Sequence, residues 1–76
     1  MKIEFEGVKY DTVNGDPFDR GSADSYYGRR MDPHYWPSGT YKGHRVEEED
    51  MSEKEIAEYY AGYKYNEELG DYKDWG

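Results

Sequence analysis

Residues 2–5 and 8–12 alternate apolar side chains with charged or polar ones, with a period of two. This period is typical of a strand with one buried face. The two residues between the runs, Glu6-Gly7, suit a tight turn. The pattern predicts an N-terminal β-hairpin. Because an isolated hairpin is marginal in water, one of its faces must pack on another element.

A short first helix is predicted next. The stretch 14–17 reads Asn-Gly-Asp-Pro, a dense turn signal that ends the hairpin. Asp16 or Pro17 can open a helix, a partial apolar stripe follows, and Gly28 is placed to stop it. We therefore expect the helix to run from residue 16 or 17 to about Tyr27.

The clearest periodic signal lies near the C-terminus. Ser52 and Glu55 have the spacing of a capping box, with Ser at the N-cap and Glu three residues later. The apolar positions that recur at helical spacing are Ile56, Tyr60 and Tyr63. Gly70 is a natural stop, so a longer second helix is predicted from about Glu53 to Leu69.

Residues 29–46 are predicted to form loops and short strands, because prolines and glycines interrupt the segment. Within it, residues 39–41 are expected to pair with residues 44–46 across a turn at Lys42-Gly43. The last residues, 71–76, are expected to form a tail that Trp75 anchors.

Composition decides what core these elements can form. The 76 residues include ten Tyr, two Phe and two Trp but few aliphatic side chains. We expect one α+β domain of residues 1–76, with an N-terminal hairpin, a short first helix and a longer C-terminal helix around an aromatic-rich core.

The absence of cysteine excludes disulfides and thiol nucleophiles. The absence of a signal peptide or a membrane-length apolar run predicts a cytoplasmic protein without membrane association.

The net charge of −8 is confined to one segment. Residues 47–76 hold 11 Asp and Glu against 3 Lys, whereas residues 1–46 balance 7 acids with 7 bases. Carboxylates along a helix can imitate a phosphate backbone, and nearby tyrosines supply contact area. This predicts an acidic, Tyr-rich surface that covers a basic nucleic-acid-binding site on another protein. Its expected residues are Glu48, Glu49, Asp50, Glu55, Glu58, Tyr59 and Glu67.

Residues 20–46 have the opposite charge. Five arginines and lysines outnumber two aspartates, which gives a net charge of +3, and aromatic side chains are interleaved. Rings stack on bases while cations meet phosphates, so the segment is a candidate surface for single-stranded RNA or DNA. Its expected residues are Arg20, Tyr26, Tyr27, Arg29, Arg30 and Tyr35. The simpler interpretation is that the arginines pair with the acidic helix while the rings form the core.

The sequence offers little for catalysis. It contains no Ser-His-Asp spacing and no phosphate-binding loop. Its two histidines, His34 and His44, are interpreted as exposed loop residues, because metal ligands usually lie closer together in sequence. The carboxylates fall in an exposed run rather than in a cleft that would shift their pKa values. We therefore expect a non-catalytic protein without a metal or cofactor.

Glycines and rings at particular positions resemble the ribosome modulation factor family. The matching positions in that family's first helix and turn are Arg20, Gly21, Gly28, Arg29, Pro33 and Tyr35. Residues 59–63, Tyr-Tyr-Ala-Gly-Tyr, resemble its second helix. The resemblance covers residues 18–36 and 56–66. The resemblance implies a helical hairpin and binding to the small ribosomal subunit. Gly21, Gly28 and Gly62 would permit the two helices of such a hairpin to approach closely.

The chain departs from that family in its acidity and in two extra segments, the N-terminal hairpin and residues 39–46. In its small size and its high content of Tyr and Asp, it is similar to small accessory proteins of tailed bacteriophages. The leading hypothesis is a phage-encoded inhibitor, a nucleic-acid mimic that blocks a host defence protein of the CRISPR type. One alternative is a ribosome-associated, RNA-binding modulator. Another is a small structural or homo-oligomeric assembly protein, because surplus rings mark contact surfaces.

Overall fold

The computed structural model describes residues 2–70 and 72–73, and it confirms a small α+β domain. The elements in chain order are β1 (Lys2–Phe5), β2 (Val8–Asp11), α1 (Pro17–Tyr26), β3 (His34–Tyr35), β4 (Val46–Glu47) and α2 (Glu53–Leu69). A short 3₁₀ helix, Glu48–Asp50, precedes α2. The two strand pairs form separate two-stranded antiparallel sheets.

The N-terminal hairpin is confirmed, with its second strand one residue shorter than predicted. Its register pairs Ile3 with Tyr10 and Phe5 with Val8. Glu6 and Gly7 both have positive φ angles, 52° and 78°. Positive φ at both central residues is the requirement of a type I′ turn, whose twist matches that of the flanking strands. The turn therefore fixes the register that the alternation predicts.

The first helix, α1, begins at Pro17 and ends at Tyr26, within one residue of the prediction. Proline suits the first helical position because the amide hydrogen it lacks would have no partner there. Gly28 follows the helix with a φ of 70°. This left-handed conformation, which glycine adopts without steric cost, turns the chain away from the helix axis.

The second helix, α2, has the predicted bounds. The Glu55 amide donates to the Ser52 hydroxyl at 3.1 Å, and the Ser52 amide donates to the Glu55 carboxylate at 2.8 Å. This reciprocal pair is the capping box that the sequence predicts. At the other end, Gly70 is left-handed with a φ of 67°, and its amide bonds the Asn66 and Glu67 carbonyls. Local sequence signals therefore define both ends of α2.

The capping box predicts a pH-dependent contribution to stability. The bond from the Ser52 amide holds the pKa of Glu55 below its ordinary value. The contribution is therefore present above the unfolded pKa of about 4.5 and is lost as pH falls through the lower folded value. In Glu55→Gln the amide oxygen accepts the same bond at every pH. We expect wild type to lose about 0.5 kcal/mol relative to Glu55→Gln between pH 7 and pH 3, since solvent screens this half-exposed group. Urea unfolding at both pH values measures the difference, and a constant difference would contradict the assignment.

The two helices approach each other at two glycines. A methyl group at Gly21 would overlap the Tyr59 carbonyl oxygen, and one at Gly62 would overlap the Phe18 carbonyl oxygen. Each helix therefore places a glycine against the backbone of the other. This confirms the prediction that Gly21 and Gly62 permit a close approach, whereas Gly28 lies beyond the end of α1.

The core is built largely from rings, as predicted. Phe18 is buried and stacks on Tyr10 with ring centroids 4.8 Å apart. Tyr65 contacts Phe18 at 5.6 Å and meets Phe5 edge-on at 5.5 Å. These contacts attach one face of the β1–β2 hairpin to both helices. The hairpin thus obtains the packing surface that it needs.

The buried face of α2 differs from the predicted stripe. Tyr59, Gly62 and Asn66 are buried, whereas Tyr60 is 39% exposed and Ile56 and Tyr63 are only half-buried. The prediction gave weight to apolar side chains. The close approach of the helices instead requires the smallest residue, Gly62, at the centre of the contact. The buried face of α2 is therefore centred on Gly62 and includes Tyr59 and Asn66, which lie about one turn away on either side.

The predicted pairing in the middle segment is wrong. Residues 34–35 pair with residues 46–47, and residues 39–41 and 44–46 do not form the expected hairpin. Gly39, Tyr41 and Gly43 all have left-handed backbones, with φ values of 104°, 64° and 71°, which strands cannot use. The Thr40 amide is instead held by the Asn14 side chain at 2.7 Å. The segment between β3 and β4 is therefore a loop attached to the turn before α1.

The predicted tail lies mostly outside the described residues, since neither Asp71 nor residues 74–76, which include Trp75, are described. In the part that is described, the Lys73 amide donates to the Tyr26 carbonyl at 2.7 Å. This contact holds the chain beyond α2 against the end of α1. Among the described residues, no helix has the length and apolar character needed to cross a membrane.

Candidate functional site: an arginine-lined cavity

An open cavity of about 390 Å³ lies beside α1, β3 and the β3–β4 loop, and we call it the arginine cavity. Its lining residues are Arg20, Asp24, Arg29, Arg30, Asp32, His34, Trp36, Tyr41 and Arg45. They come from α1, from the segment that follows it, from β3 and from the β3–β4 loop. The pairing of β3 with β4 brings the two ends of this loop together.

Arg20 forms the inner wall of the cavity and is only 6% exposed. Its Nε donates to His34 Nε2 at 3.1 Å, and its Nη1 donates to the Thr40 hydroxyl at 3.5 Å. Its Nη2 lies 3.7 Å from an Asp24 carboxylate oxygen, one helical turn away. Three segments therefore hold this guanidinium in one orientation before any ligand arrives.

Asp24 is the buried anion that balances the inner arginines. It is 3% exposed, and the Tyr59 hydroxyl donates to it at 2.5 Å. Arg29 Nη1 lies 3.5 Å from the same carboxylate. Burial, together with the bond to this carboxylate, raises the pKa of Tyr59, so its phenol stays protonated and continues to donate. The same phenol accepts the Asp32 amide at 3.0 Å, which ties α2 to the rim of the cavity.

The buried imidazole of His34 has both ring nitrogens engaged. Nδ1 lies 2.6 Å from the Asp32 carbonyl oxygen, which can only accept, so Nδ1 carries the hydrogen. Nε2 accepts from Arg20 and therefore carries none. This tautomer is assigned from its partners. His34 was predicted to be an exposed loop residue; that prediction is wrong, because the side chain is 3% exposed and supports Arg20.

Three further arginines complete the cavity. Arg45 Nη2 lies 2.6 Å from Asp32, and its Nε lies 2.9 Å from Glu47 but is not aimed at it well enough for a hydrogen bond. The Arg29 guanidinium lies 4.9 Å from the centre of the Tyr27 ring. Arg30 is exposed and has no ion-pair partner among the described residues. The outer arginines therefore retain hydrogen-bond donors for a ligand.

Two rings line the same cavity. Trp36 and Tyr41 meet at an interplanar angle of 67° with centroids 5.6 Å apart. A hydrogen bond with Arg29 and the charge of Arg20 lower the pKa of Tyr41. The indole N–H of Trp36 is buried without an acceptor among the described residues. The cavity thus combines guanidinium groups with an aromatic wall.

The predicted RNA-binding residues divide into two groups. Arg20, Arg29 and Arg30 do come together in the cavity, although Arg20 is buried rather than on the open surface. Tyr26, Tyr27 and Tyr35 do not line it. The rings of Tyr26 and Tyr27 contact each other at the end of α1, and the Tyr35 hydroxyl bonds Glu55, which raises its pKa. The expected residues did not include six others that line the cavity, although Trp36, Tyr41 and Arg45 are among the rings and cations of the +3 segment. Their spacing gives no signal of convergence; they are Asp24, Asp32, His34, Trp36, Tyr41 and Arg45.

The predicted acidic surface is smaller than expected. Tyr59 is fully buried, so its assignment to a partner-binding surface is wrong; its ring lies 5.7 Å from that of His34, and its hydroxyl bonds Asp24 on α1. Glu55 caps α2, and Glu58 is half-buried, with burial raising its pKa. Glu67 is exposed and accepts from the Tyr72 hydroxyl at 2.7 Å. The remaining predicted residues, Glu48, Glu49 and Asp50, are exposed in the 3₁₀ helix.

The expected pairing of the arginines with the acidic helix is also wrong. Within the part of the chain that the structure describes, the ion pairs of Arg20 and Arg29 are with Asp24, on α1 itself. Arg45 pairs with Asp32 and Glu47. The carboxylates of α2 lie away from the cavity, since none of them lines it. Of the acidic segment, only Glu47 therefore pairs with a cavity arginine, and the carboxylates of α2 do not.

Comparisons with known proteins add no relative to this description. The resemblance to the ribosome modulation factor family and to phage accessory proteins consequently stays a prediction. No protein-family model, curated protein or solved structure matches the chain.

Proposed function

We propose that the protein is a non-catalytic binding module that holds a phosphate-bearing ligand of the RNA or nucleotide class in the arginine cavity. One observation carries the proposal: four arginines from three separate stretches of chain converge on one cavity, in a protein whose net charge is −8. Such convergence requires a fold that brings like charges together. A ligand with negative charge would offset their mutual repulsion.

The chemistry of the lining supports phosphate as the recognised group. Guanidinium presents N–H donors in a planar fork that matches phosphate oxygens and stays charged at any physiological pH. Arg20 is already oriented by His34, Thr40 and Asp24, so binding costs little side-chain entropy there. Trp36 and Tyr41 add a surface on which a base can stack.

The state of the cavity's histidine supports binding rather than catalysis. A general base needs an imidazole nitrogen that is free to reach the substrate. Both nitrogens of His34 are engaged, one with the Asp32 carbonyl and one with Arg20. Of the cavity's two carboxylates, Asp24 is committed to Tyr59 and two arginines, and Asp32 is paired with Arg45. These groups are best explained as supports for the arginines.

Binding of single-stranded RNA tests the proposal. We expect a 3′-labelled RNA of about 12 nucleotides to bind, with affinity that falls as salt is raised. Arg30→Gln should weaken binding about tenfold without loss of stability, because Arg30 has no ion-pair partner among the described residues.

Lys9→Gln is the matched control, since it removes the same charge from the hairpin and Lys9 does not line the cavity. Fluorescence anisotropy at fixed salt measures both affinities. Equal weakening by the two substitutions would mean that net charge alone determines binding. Absence of binding to RNA and to nucleotides would refute the proposal.

A second candidate function rests on the acidic 3₁₀ helix. Glu48, Glu49 and Asp50 are exposed, and the described residues give them no ion-pair partner. These carboxylates suit a basic surface on another protein, such as the nucleic-acid site of a host defence protein blocked by a phage inhibitor.

Capture from a bacterial lysate tests this second candidate. Reversing Glu48, Glu49 and Asp50 to lysine should release a specifically captured protein. Reversing Glu4, Asp11 and Glu68, which are also exposed, changes the charge equally and should not. Retention of the partner by the first variant, or equal release by both, would reject the 3₁₀ helix as the contact.

A further inference from the structure

We infer that the arginine cavity recognises a phosphate monoester joined to a base, as in a 5′-mononucleotide or the 5′-phosphorylated end of a strand. The inference rests on the proposed function and specifies its ligand. It distinguishes a terminal phosphate from the internal phosphates of a strand that passes over the surface. Three properties of the cavity carry it: its size, its charge and its aromatic wall.

The volume of the cavity suits one nucleotide. At about 390 Å³ it lies near the lower end of the range of about 300–1,000 Å³ seen for small-molecule sites. Proteins that bind the body of a strand use a groove that follows several nucleotides, with cations along its length. Here the arginines are gathered in one place.

The charge of the lining matches a monoester better than a diester. Four arginines against two aspartates leave the lining at +2, with His34 neutral in the tautomer described above. A phosphate monoester carries about −1.5 to −2 at pH 7, whereas each internal phosphate of a strand carries about −1. A terminal phosphate therefore neutralises this cavity more completely.

The surroundings of the cavity disfavour a long polyanion. Asp32, 64% exposed at its side chain, and Glu47 stand beside Arg45 at the rim. The exposed acids of the 3₁₀ helix follow directly after Glu47 in the chain. A strand that continued past the rim would bring further phosphates toward these carboxylates, and the net charge of −8 adds long-range repulsion. A compact ligand avoids both costs.

The aromatic wall supplies a place for the base. The rings of Trp36 and Tyr41 lie in the same lining as the guanidinium groups, so one ligand can contact both. Inorganic phosphate would satisfy the arginines but leave this stacking surface unused.

Calorimetric titration at constant salt tests the inference with five probes. These are inorganic phosphate, a mixture of the four ribonucleosides, a mixture of their 5′-monophosphates, and one RNA sequence with either a 5′-phosphate or a 5′-hydroxyl. We expect the monophosphates to bind at least about tenfold more tightly than either inorganic phosphate or the nucleosides. The 5′-phosphorylated RNA should bind about tenfold more tightly than its 5′-hydroxyl form.

The outcomes separate the two levels of the proposal. If only the monophosphates bind more tightly than inorganic phosphate and nucleosides, the ligand is a nucleotide. If the 5′-phosphorylated RNA binds more tightly than its 5′-hydroxyl form, the ligand is a strand end. Either result supports the inference. Equal affinity for the two RNA forms, with no binding of monophosphates, overturns it and leaves the RNA-binding function standing. Equal affinity for monophosphates and inorganic phosphate, with equal affinity for the two RNA forms, also overturns it, because neither a base nor a strand end would then be recognised. No binding of any probe refutes both.

Trp36→Phe measures how much the base of the ligand contributes to binding. It keeps a ring in the wall but replaces the indole with a smaller stacking surface, and it leaves the four arginines in place. We expect it to narrow the preference for monophosphates over inorganic phosphate by about threefold or more while leaving phosphate affinity unchanged. An undiminished preference would remove Trp36 from the site.

Discussion

Gly62→Ala is expected to destabilise the domain by about 3 kcal/mol or more. In an unencumbered helix the same change stabilises by about 1 kcal/mol, because alanine is the better helix former. At Gly62 the new methyl group would overlap the Phe18 carbonyl oxygen. Backbone cannot move aside as a flexible side chain can, so α1 and α2 must separate. Gly21→Ala should behave alike, since its methyl group would overlap the Tyr59 carbonyl oxygen.

Gly70→Ala is the matched control. Gly70 is left-handed, so the substitution strains the backbone, but nothing lies within 4 Å of the added Cβ atom. We expect a loss of only about 1 kcal/mol there. Chemical denaturation of the three variants measures the differences. Stability equal to or above wild type in Gly62→Ala would show that the helices are not in backbone contact.

Asp24→Asn is expected to cost about 3–5 kcal/mol, because it leaves the buried Arg20 guanidinium without its counter-charge. The side chains of Asp24 and Arg20 are 4% and 7% exposed, so solvent cannot replace the lost carboxylate. The asparagine oxygen can still accept from Tyr59, which confines the change largely to charge. A small domain has stability of the same order, so the variant should be close to unfolded at room temperature.

Asp32→Asn is the matched comparison for Asp24→Asn, because it also neutralises an aspartate that pairs with an arginine, but it does so at the surface. Asp32 is 64% exposed at its side chain, and exposed pairs contribute less than about 1 kcal/mol. Tyr59→Phe should fall between the two, at about 1–3 kcal/mol, because it removes the phenol's hydrogen bonds to the buried Asp24 carboxylate and to the Asp32 amide. Urea unfolding gives all three values. Equal losses for Asp24→Asn and Asp32→Asn would contradict the account of Asp24 as the buried anchor.

Local signals explain why so much of the fold could be predicted. The hairpin follows from two-residue alternation, and α2 from a capping box and a terminal glycine. Each signal lies within a few residues, so it can be recognised in the sequence without knowledge of the tertiary contacts. The middle segment lacks such a signal. Its backbone is set by distant contacts, such as Thr40 with Asn14, and these cannot be inferred from spacing.

The candidate site was only partly predictable, for the same reason. A count of charges identified the basic segment and three arginines that do converge. It failed for Tyr59, whose aromatic character suits an interface and a core equally well, and only the glycine contact places it inside. It failed again for His34 and Asp24, because burial of a polar side chain depends on partners from other segments.

Nitrogen-15 NMR can show whether phosphate-bearing ligands bind in the arginine cavity. The measurement follows backbone amides, arginine Nε–H groups and indole N–H groups as ribonucleoside 5′-monophosphates and 5′-phosphorylated RNA are added. We expect saturable shifts of Arg20, Arg29 and the Trp36 indole, whose signal Trp36→Phe assigns. Shifts confined to Glu48–Asp50 or to the exposed side of α2, or no shifts with any of these ligands, would contradict the proposal.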